Sequence, residues 1–426
     1  MVVATAISCV PLALSAAAVA ALDAPTFYGD VLPILQSSCQ DCHRPAGSNY
    51  GGMVAPMSLV TYEETRPWAR AILRQITARE MPPWDASPRF HGVFANERTL
   101  SDVEIETIRQ WVESNAPAGD PASAPPVRQF ASSDGWIRGE PDLVLTIPVA
   151  YEVGDEVSDV YTAFVVDLTE EMLPEDAFIR GFQCKPGTPI IHHFNANLLP
   201  PDEHGELPPP PDRFESETIA PVNSGSYLGG VASGAGANWY PDGYAVRLPK
   251  GSRITFDIHY TKEAGPGTRV VDSTSQIGFY FATEPPAKEV SILNAAIFDI
   301  DLPPGRAEYR LGPASVQVEE ASEILALTPH MHLRGRGAKF VAFYPDGGSE
   351  VLLEVPRYDF AWQTAYYYDE LKRVPAGTRI EFTAWYDNSP EYAAERGFDP
   401  EQHVRFGRWS SDEMMMGFVL LAPGGE

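Results

Sequence analysis

Ala338-Lys339-Phe340-Val341-Ala342-Phe343-Tyr344, then Pro345-Asp346-Gly347-Gly348, then Val351-Leu352-Leu353-Glu354-Val355 reads as a hairpin. β-Branched and aromatic side chains fill both arms, and the Pro-Asp-Gly-Gly break between them has turn chemistry. Working outward, Arg253–Tyr260 and Arg379–Tyr386 read as further strands. From Trp136 onward, short alternating runs are broken repeatedly by Gly, Pro and Asp. The 40 prolines and 34 glycines of the chain fit the same turn-rich, mainly β architecture. Many short strands predict β-sandwiches, and the length predicts two of them, over residues 135–285 and 286–426. The seam between them is expected near Glu284-Pro285-Pro286.

The N-terminal quarter has a different period. Residues 25–118 read as a small all-α domain. Val31, Ile34 and Leu35 form one apolar stripe, and Trp68, Ile72 and Ile76 recur at helical spacing. Ser101 and Glu104 make a capping box ahead of Ile105, Ile108, Trp111 and Val112, and that helix is expected to stop near Asn115-Ala116-Pro117. The stretch from Pro117 to Ser133 is rich in Pro, Ala, Ser and Asp. It reads as a linker, assigned to residues 119–134, that tethers the helical domain at high effective concentration. Residues 1–24 read as a secretory signal, with an apolar run from Val10 to Ala21 and a small-residue cleavage site at Ala18-Val19-Ala20. Cleavage would remove Cys9. The run is too short for a convincing membrane span, and no other segment is apolar enough. A periplasmic or secreted protein with no membrane insertion after cleavage is therefore expected.

The 426 residues carry 31 Lys and Arg against 58 Asp and Glu, a formal net charge of −27. Such a surface repels phosphate backbones and anionic headgroups, so nucleic acid is not an expected partner. The charge serves solubility, and it also suits docking of a basic electron donor.

Cys39-Gln40-Asp41-Cys42-His43 is a C-x-x-C-H motif. Two thiols at this spacing add to the vinyl groups of a haem, and the histidine that follows ligates the iron. A thioredoxin-type dithiol lacks its βαβ context here, and a zinc site lacks further thiols or imidazoles nearby. One covalent haem c is thus expected on Cys39, Cys42 and His43. Met81, in Arg79-Glu80-Met81-Pro82-Pro83-Trp84, is the expected sixth ligand, with Met53, Met57 and His91 as rivals. The segment resembles small class I c-type cytochrome domains.

Nine histidines occur in the chain, and five of them fall in apolar strand-like contexts. These are His192 and His193 in Pro189-Ile190-Ile191-His192-His193-Phe194-Asn195, His259 in Thr255-Phe256-Asp257-Ile258-His259-Tyr260, and His330 with His332 in Thr328-Pro329-His330-Met331-His332-Leu333. On a strand, His330 and His332 project to one face, whereas His192 and His193 need a bulge or a strand end to share a metal. A single buried histidine is ordinarily a satisfied core residue, but five together need partners. Imidazole suits zinc and copper alike, and a neighbouring thioether favours copper. One is available in Ser411-Asp412-Glu413-Met414-Met415-Met416-Gly417.

The order His-His, His, His-x-His, Glu-Met resembles that of the copper type II ascorbate-dependent monooxygenases. This family includes peptidylglycine α-hydroxylating monooxygenase and dopamine β-monooxygenase. The resemblance covers residues 135–422 and implies two jelly-roll-like β-sandwiches facing each other across a solvent-filled cleft. It implies two coppers: an electron-transfer copper on His192, His193 and His259, and an O2-binding, catalytic copper on His330, His332 and Met414. Met414 is preferred over Met415 and Met416 because it directly follows Asp-Glu. The expected activity is haem-linked hydroxylation of a C–H bond in a small organic substrate by O2, with electrons entering from a periplasmic donor. The alternative is a non-catalytic electron-transfer or copper-binding protein that keeps the fold. The sequence also departs from the peptide-amidating enzyme. Thr328 stands for an Arg, and Met416 and Phe418 for an Asn and a Tyr. These departures point away from peptide amidation and toward a less polar substrate. Asp257 stands for a Gln two residues before the third histidine, a change expected to alter the electron path between the centres. Cys184, the cysteine left over, reads as a buried small residue or a metal-reactive thiol.

Overall fold

The computed structural model describes residues 24–44, 55–129, 136–208, 226–231 and 237–424. The signal sequence and Met53 lie outside these residues. Strand accounts for 38% of the chain and helix for 15%, so the fold is mainly β, as the turn-rich composition predicts.

The first β unit contains β1 (Leu143–Thr146), β2 (Tyr151–Val153), β3 (Asp159–Asp167), β4 (Ala177–Lys185), β5 (Ile191–Leu199), β6 (Ser226–Val231), β7 (Asn238–Trp239), β8 (Tyr244–Leu248), β9 (Arg253–Thr261), β10 (Val270–Asp272), β11 (Gln276–Phe281) and β12 (Lys288–Glu289). One sheet has the order β1-β11-β4-β8-β12, with β7 alongside β4, and the other has the order β3-β9-β5-β6. The strands β2 and β10 form a separate ribbon. Side chains from both large sheets, including Ile179, Phe182, Phe194, Phe256, Ile258 and Phe279, enclose one core. Cys184 is part of it, 2% exposed, which fits the buried-residue reading.

The second unit contains β13 (Ser291–Ile297), β14 (Tyr309–Val318), β15 (Ser322–His330), β16 (Gly335–Phe343), β17 (Ser349–Val355), β18 (Tyr366–Val374), β19 (Thr378–Tyr386) and β20 (Met415–Pro423). Its sheets run β13-β20-β15-β18 and β14-β19-β16-β17, again around a single core. The hairpin read from the sequence is β16–β17. Its turn closes through Gly347 N–H to Tyr344 O and Tyr344 N–H to Gly348 O, with Gly347 at φ 90°. The chain passes between units at Val290: β12 still pairs with β8, and Ser291 already pairs with Leu421 on β20.

The N-terminal segment folds as a π-helical turn (Phe27–Val31) followed by α1 (Leu32–Ser38), α2 (Tyr62–Thr65), α3 (Ala69–Thr77) and α4 (Asp102–Glu113). These helices share an apolar cluster that includes Val31, Ile34, Leu35, Ile72, Ile76, Ile105, Ile108 and Trp111. The Ser101–Glu104 capping box forms in both directions. The helix ends as Asn115 and Ala116 take positive φ values of 65° and 50°. Trp68 departs from expectation, being 42% exposed. It closes a 3-10 turn (Arg66–Trp68) ahead of α3, so its register shifts and Ala69 takes the inward place.

Two further features differ from the flexible tether expected on sequence grounds. The described part of the proline-rich stretch packs back on the helices: Phe27 N–H donates to Pro117 O, Gln36 to Pro126 O, and Arg128 pairs with Asp41. The stretch from Trp84 to Glu97 docks on β18, which ends its sheet. Phe94 bridges to Tyr368, Ala95 N–H donates to Tyr367 O at 2.8 Å, and Asp369 N–H donates to Val93 O at 3.0 Å. Phe90 and Phe94 are buried in the core of the second unit, with Trp84 packed against it. The arm covers a sheet edge that would otherwise expose unpaired backbone groups.

Candidate metal centre

The two units meet through the outer faces of β3-β9-β5-β6 and β13-β20-β15-β18. Side chains alternate along each strand. On β5, Phe194, Ala196 and Leu198 fill the core, while His193, Asn195 and Asn197 line a cavity of about 140 Å³. Asp257 on β9, Thr328 and His330 on β15, and Met416, Phe418 and Leu420 on β20 line it from the same alternation, with His332 and Met414 just beyond the strand ends.

His192, His193 and His259 converge, with one nitrogen from each within 4.8 Å of the others. The β5–β9 register shifts between Ile191 and His193, so a bulge at His192 brings adjacent histidines to one site. The Nδ1 atoms of His192 and His193 lie 3.5 Å apart. Two nitrogens each ~2.0 Å from a shared ion have about that separation. His259 Nε2 lies 2.9 Å from Asp159 Oδ1, while its Nδ1 is buried without a hydrogen-bond partner. That pairing sets the tautomer: Nε2–H donates to the carboxylate and the Nδ1 lone pair faces its neighbours. Burial, reinforced by the His259 ring, holds His192 down to about 3 and His193 well below the usual imidazole range. Neutral imidazoles are the form that ligates metal. Tyr161 stacks on His259 at 3.9 Å and fixes its plane.

The second group exposes the opposite nitrogens. His330 Nδ1 lies 2.6 Å from Gln363 Oε1, and His332 Nδ1 lies 3.3 Å from Asp412 O. With Nδ1–H donated in both, each Nε2 is left as an acceptor. Burial keeps both rings neutral. Met414 lines the same cavity, and its carbonyl accepts from Tyr386 Oη at 2.7 Å. Met415 points into the core at 0% exposure, whereas Met416 shares the cavity face with Met414. Two imidazoles beside a thioether are a donor set suited to copper, Cu(I) above all.

Several residues that sequence reading passed over hold this group. The Glu413 carboxylate is fully buried and accepts from the backbone N–H groups of His332 at 2.8 Å and Arg334 at 2.7 Å, pinning the His-x-His turn. Burial pushes its carboxyl up to about 8, against the pull of those donors and of the Arg334 guanidinium. Phe360 stands between the two groups, its ring 4.9 Å from that of His192 and 5.5 Å from that of His332. Asp257, expected to alter the path between centres, forms an ion pair with Arg408 of the second unit at 3.0 Å.

The C-x-x-C-H residues lie where α1 ends. Cys39 caps the helix, and the N–H groups of Cys42 and His43 return to Cys39 O. His43 Nδ1 lies 3.3 Å from Met57 O, which leaves Nε2 for an iron. Of the rivals to Met81, His91 is paired with Glu97 at 2.7 Å. Met81 is 41% exposed, outside the helical core. Burial pushes the Cys39 thiol up to about 12 and the Cys42 thiol upward, opposite to the activated thiol of a redox dithiol. Among the described residues, these three form no convergent ligand group of the kind seen at His192, His193 and His259. Thioether-linked haem, whose iron takes one ligand from this motif, fits them better than zinc. Arg98, whose charge acts on Cys42, lies 5.5 Å over the Trp362 ring. Trp362 shares a loop with Phe360 and Gln363, so the helical segment abuts the loop that supports both histidine groups.

No protein-family model matches this chain, and neither does any curated protein. Solved structures match only in part. The VP2 subviral particle of infectious bursal disease virus is 12% identical over 67% of this chain and 73% of its own, with a TM-score of 0.19. The major capsid protein P2 of bacteriophage PM2 is 8% identical over 66% of this chain and 97% of its own, at 0.21. A Paenibacillus xanthan lyase is 8% identical over 67% of this chain and 26% of its own, at 0.18. No helix among the described residues is long and apolar enough to cross a membrane.

Proposed function

We propose that this protein is an exported, haem-linked dicopper monooxygenase that hydroxylates a C–H bond of a small organic substrate with O2. In this reading a class I cytochrome c-like domain precedes two jelly-roll-like copper domains. The observation that carries it is the cavity shared by the two histidine groups. His193 lines it from the three-histidine cluster, and His330, His332 and Met414 line it from the other side. An electron carrier needs one such set, whereas an oxygenase that draws two electrons needs a second. Copper held by these residues would supply O2 activation and two electrons, one oxygen atom entering the substrate and the other leaving as water. Haem held by Cys39, Cys42, His43 and Met81 would supply the entry point for electrons from a periplasmic donor. The chain's own part is positioning. Asp159, Gln363 and the Asp412 carbonyl fix the imidazole tautomers, Glu413 holds the His-x-His turn, and Phe360 packs against the rings of His192 and His332.

Copper stoichiometry and X-ray absorption on the anaerobically loaded full chain test this. Two coppers are expected, falling to one in His259→Ala, with a sulfur scatterer that disappears in Met414→Ala. Reduced protein should then consume O2 only with a hydroxylatable substrate present. Two coppers with no substrate-dependent uptake would favour the electron-transfer reading, and failure to bind copper would end both.

A further inference from the structure

The cavity between the histidine groups defines a ligand class by its size and charge. Its volume of about 140 Å³ is close to that of the engineered apolar cavity of ~150 Å³ that admits benzene. Apart from the histidines, the charged side chains lining it are Asp257 and Arg408. They bond each other at 3.0 Å and are about four-fifths buried, at 20% and 19% exposure. A carboxylate or ammonium group entering the cavity would lose its hydration and find no unpaired countercharge among the lining side chains. The remaining polar lining is neutral. Gln363 is engaged with His330 and Asn238 with Tyr367, while Asn195 and Asn197 present amides on the β5 face. Opposite them, Ile292, Phe418 and Leu420 offer apolar surface, and Leu228 adds to it from β6. Thr328, Met416 and Phe418, the positions where the sequence departs from the peptide-amidating pattern, all belong to this lining.

We infer that the cavity takes a neutral molecule of benzene-like size, about six to nine non-hydrogen atoms, with one hydrogen-bonding group and an apolar body. This deepens the monooxygenase reading by naming its substrate class, and it rests on that reading only for the word substrate. The Asp257–Arg408 pair is the element that sets charge selectivity.

Three near-isosteric probes test it: benzyl alcohol, benzoate and benzylamine, titrated calorimetrically into the full chain both before and after copper loading, reduced and anaerobic, so that a probe that ligates copper is told apart from one the lining itself admits. Benzyl alcohol should bind saturably, and the two charged probes at least about tenfold more weakly. Asp257→Asn leaves the Arg408 guanidinium unpaired and should shift preference to benzoate. Arg408→Gln leaves the carboxylate unpaired and should shift it to benzylamine. A two-ring alcohol, naphthalenemethanol, should not bind. Equal binding of a charged probe to wild type, no binding of benzyl alcohol, tight binding of the two-ring alcohol, or unchanged preference in both variants would each overturn the inference. Copper content is measured on the same samples. Loss of selectivity with two coppers retained sinks the ligand class alone. Selectivity retained in a protein that takes up no copper sinks the monooxygenase reading alone.

Discussion

Phe94→Ala tests whether the N-terminal helical segment is fastened to the second β unit or merely tethered to it. Phe94 is 3% exposed and lies 5.1 Å from Tyr368, 5.5 Å from Tyr366, 6.0 Å from Phe90 and 6.3 Å from Trp84, ring to ring. Truncating a buried phenylalanine costs about 3–5 kcal/mol, since the cavity left behind collapses only in part. At about 1.4 kcal/mol per factor of ten, opening of the arm should become more frequent by two to three and a half powers of ten. Two amides report on it: Ala95 N–H and Asp369 N–H both cross the interface and exchange when the arm lifts. Native-state hydrogen exchange should show both losing protection by about that factor. The amide of Phe194, in the core sheet of the first unit and paired with Ile258, should keep its protection. Unchanged exchange at Ala95 and Asp369 would refute the docking argument. Parallel loss at Phe194 would show that the arm is not a separable cooperative unit.

Cleavage at a protease site introduced within residues 130–135 should leave the two fragments together on gel filtration, because the arm and not the linker holds them; separation would contradict this. Asp85, at the docked arm, is pushed up to about 7 by burial and then by Asp359, against Arg357 and Arg396. A carboxyl raised on folding stabilises below its free value of 3.8 and loses that contribution as pH rises through about 7. The stability of wild type relative to Asp85→Asn, from urea unfolding, should therefore fall from about pH 4 to about pH 7 and level off above it, and a constant difference over that range would rule out the assignment.

The sequence by itself determined what local period and local chemistry encode. Strand alternation assigned His330 and His332 to one face, and both line the cavity. The capping box, the β16–β17 turn and the C-x-x-C-H turn at the end of α1 were legible because each involves residues a few positions apart. Trp68 misled because a 3-10 turn, Arg66-Pro67-Trp68, advances the chain differently from an α-helix, and Pro67 was the local mark of the change. What tertiary structure alone decided lies at long separation. Asp159 reaches His259 across 100 residues, Gln363 reaches His330 across 33, and Glu413 reaches the His332 backbone across 81. The bulge that unites His192 with His193 depends on register against β9, a property of two strands rather than one. Phe360 and the Trp84–Glu97 arm looked like ordinary loop residues, because burial and stacking are created only when distant segments pack. The residue types that bind metal were therefore visible in the chain, and the contacts that orient them, fix their tautomers and bound the cavity between them came only with the fold.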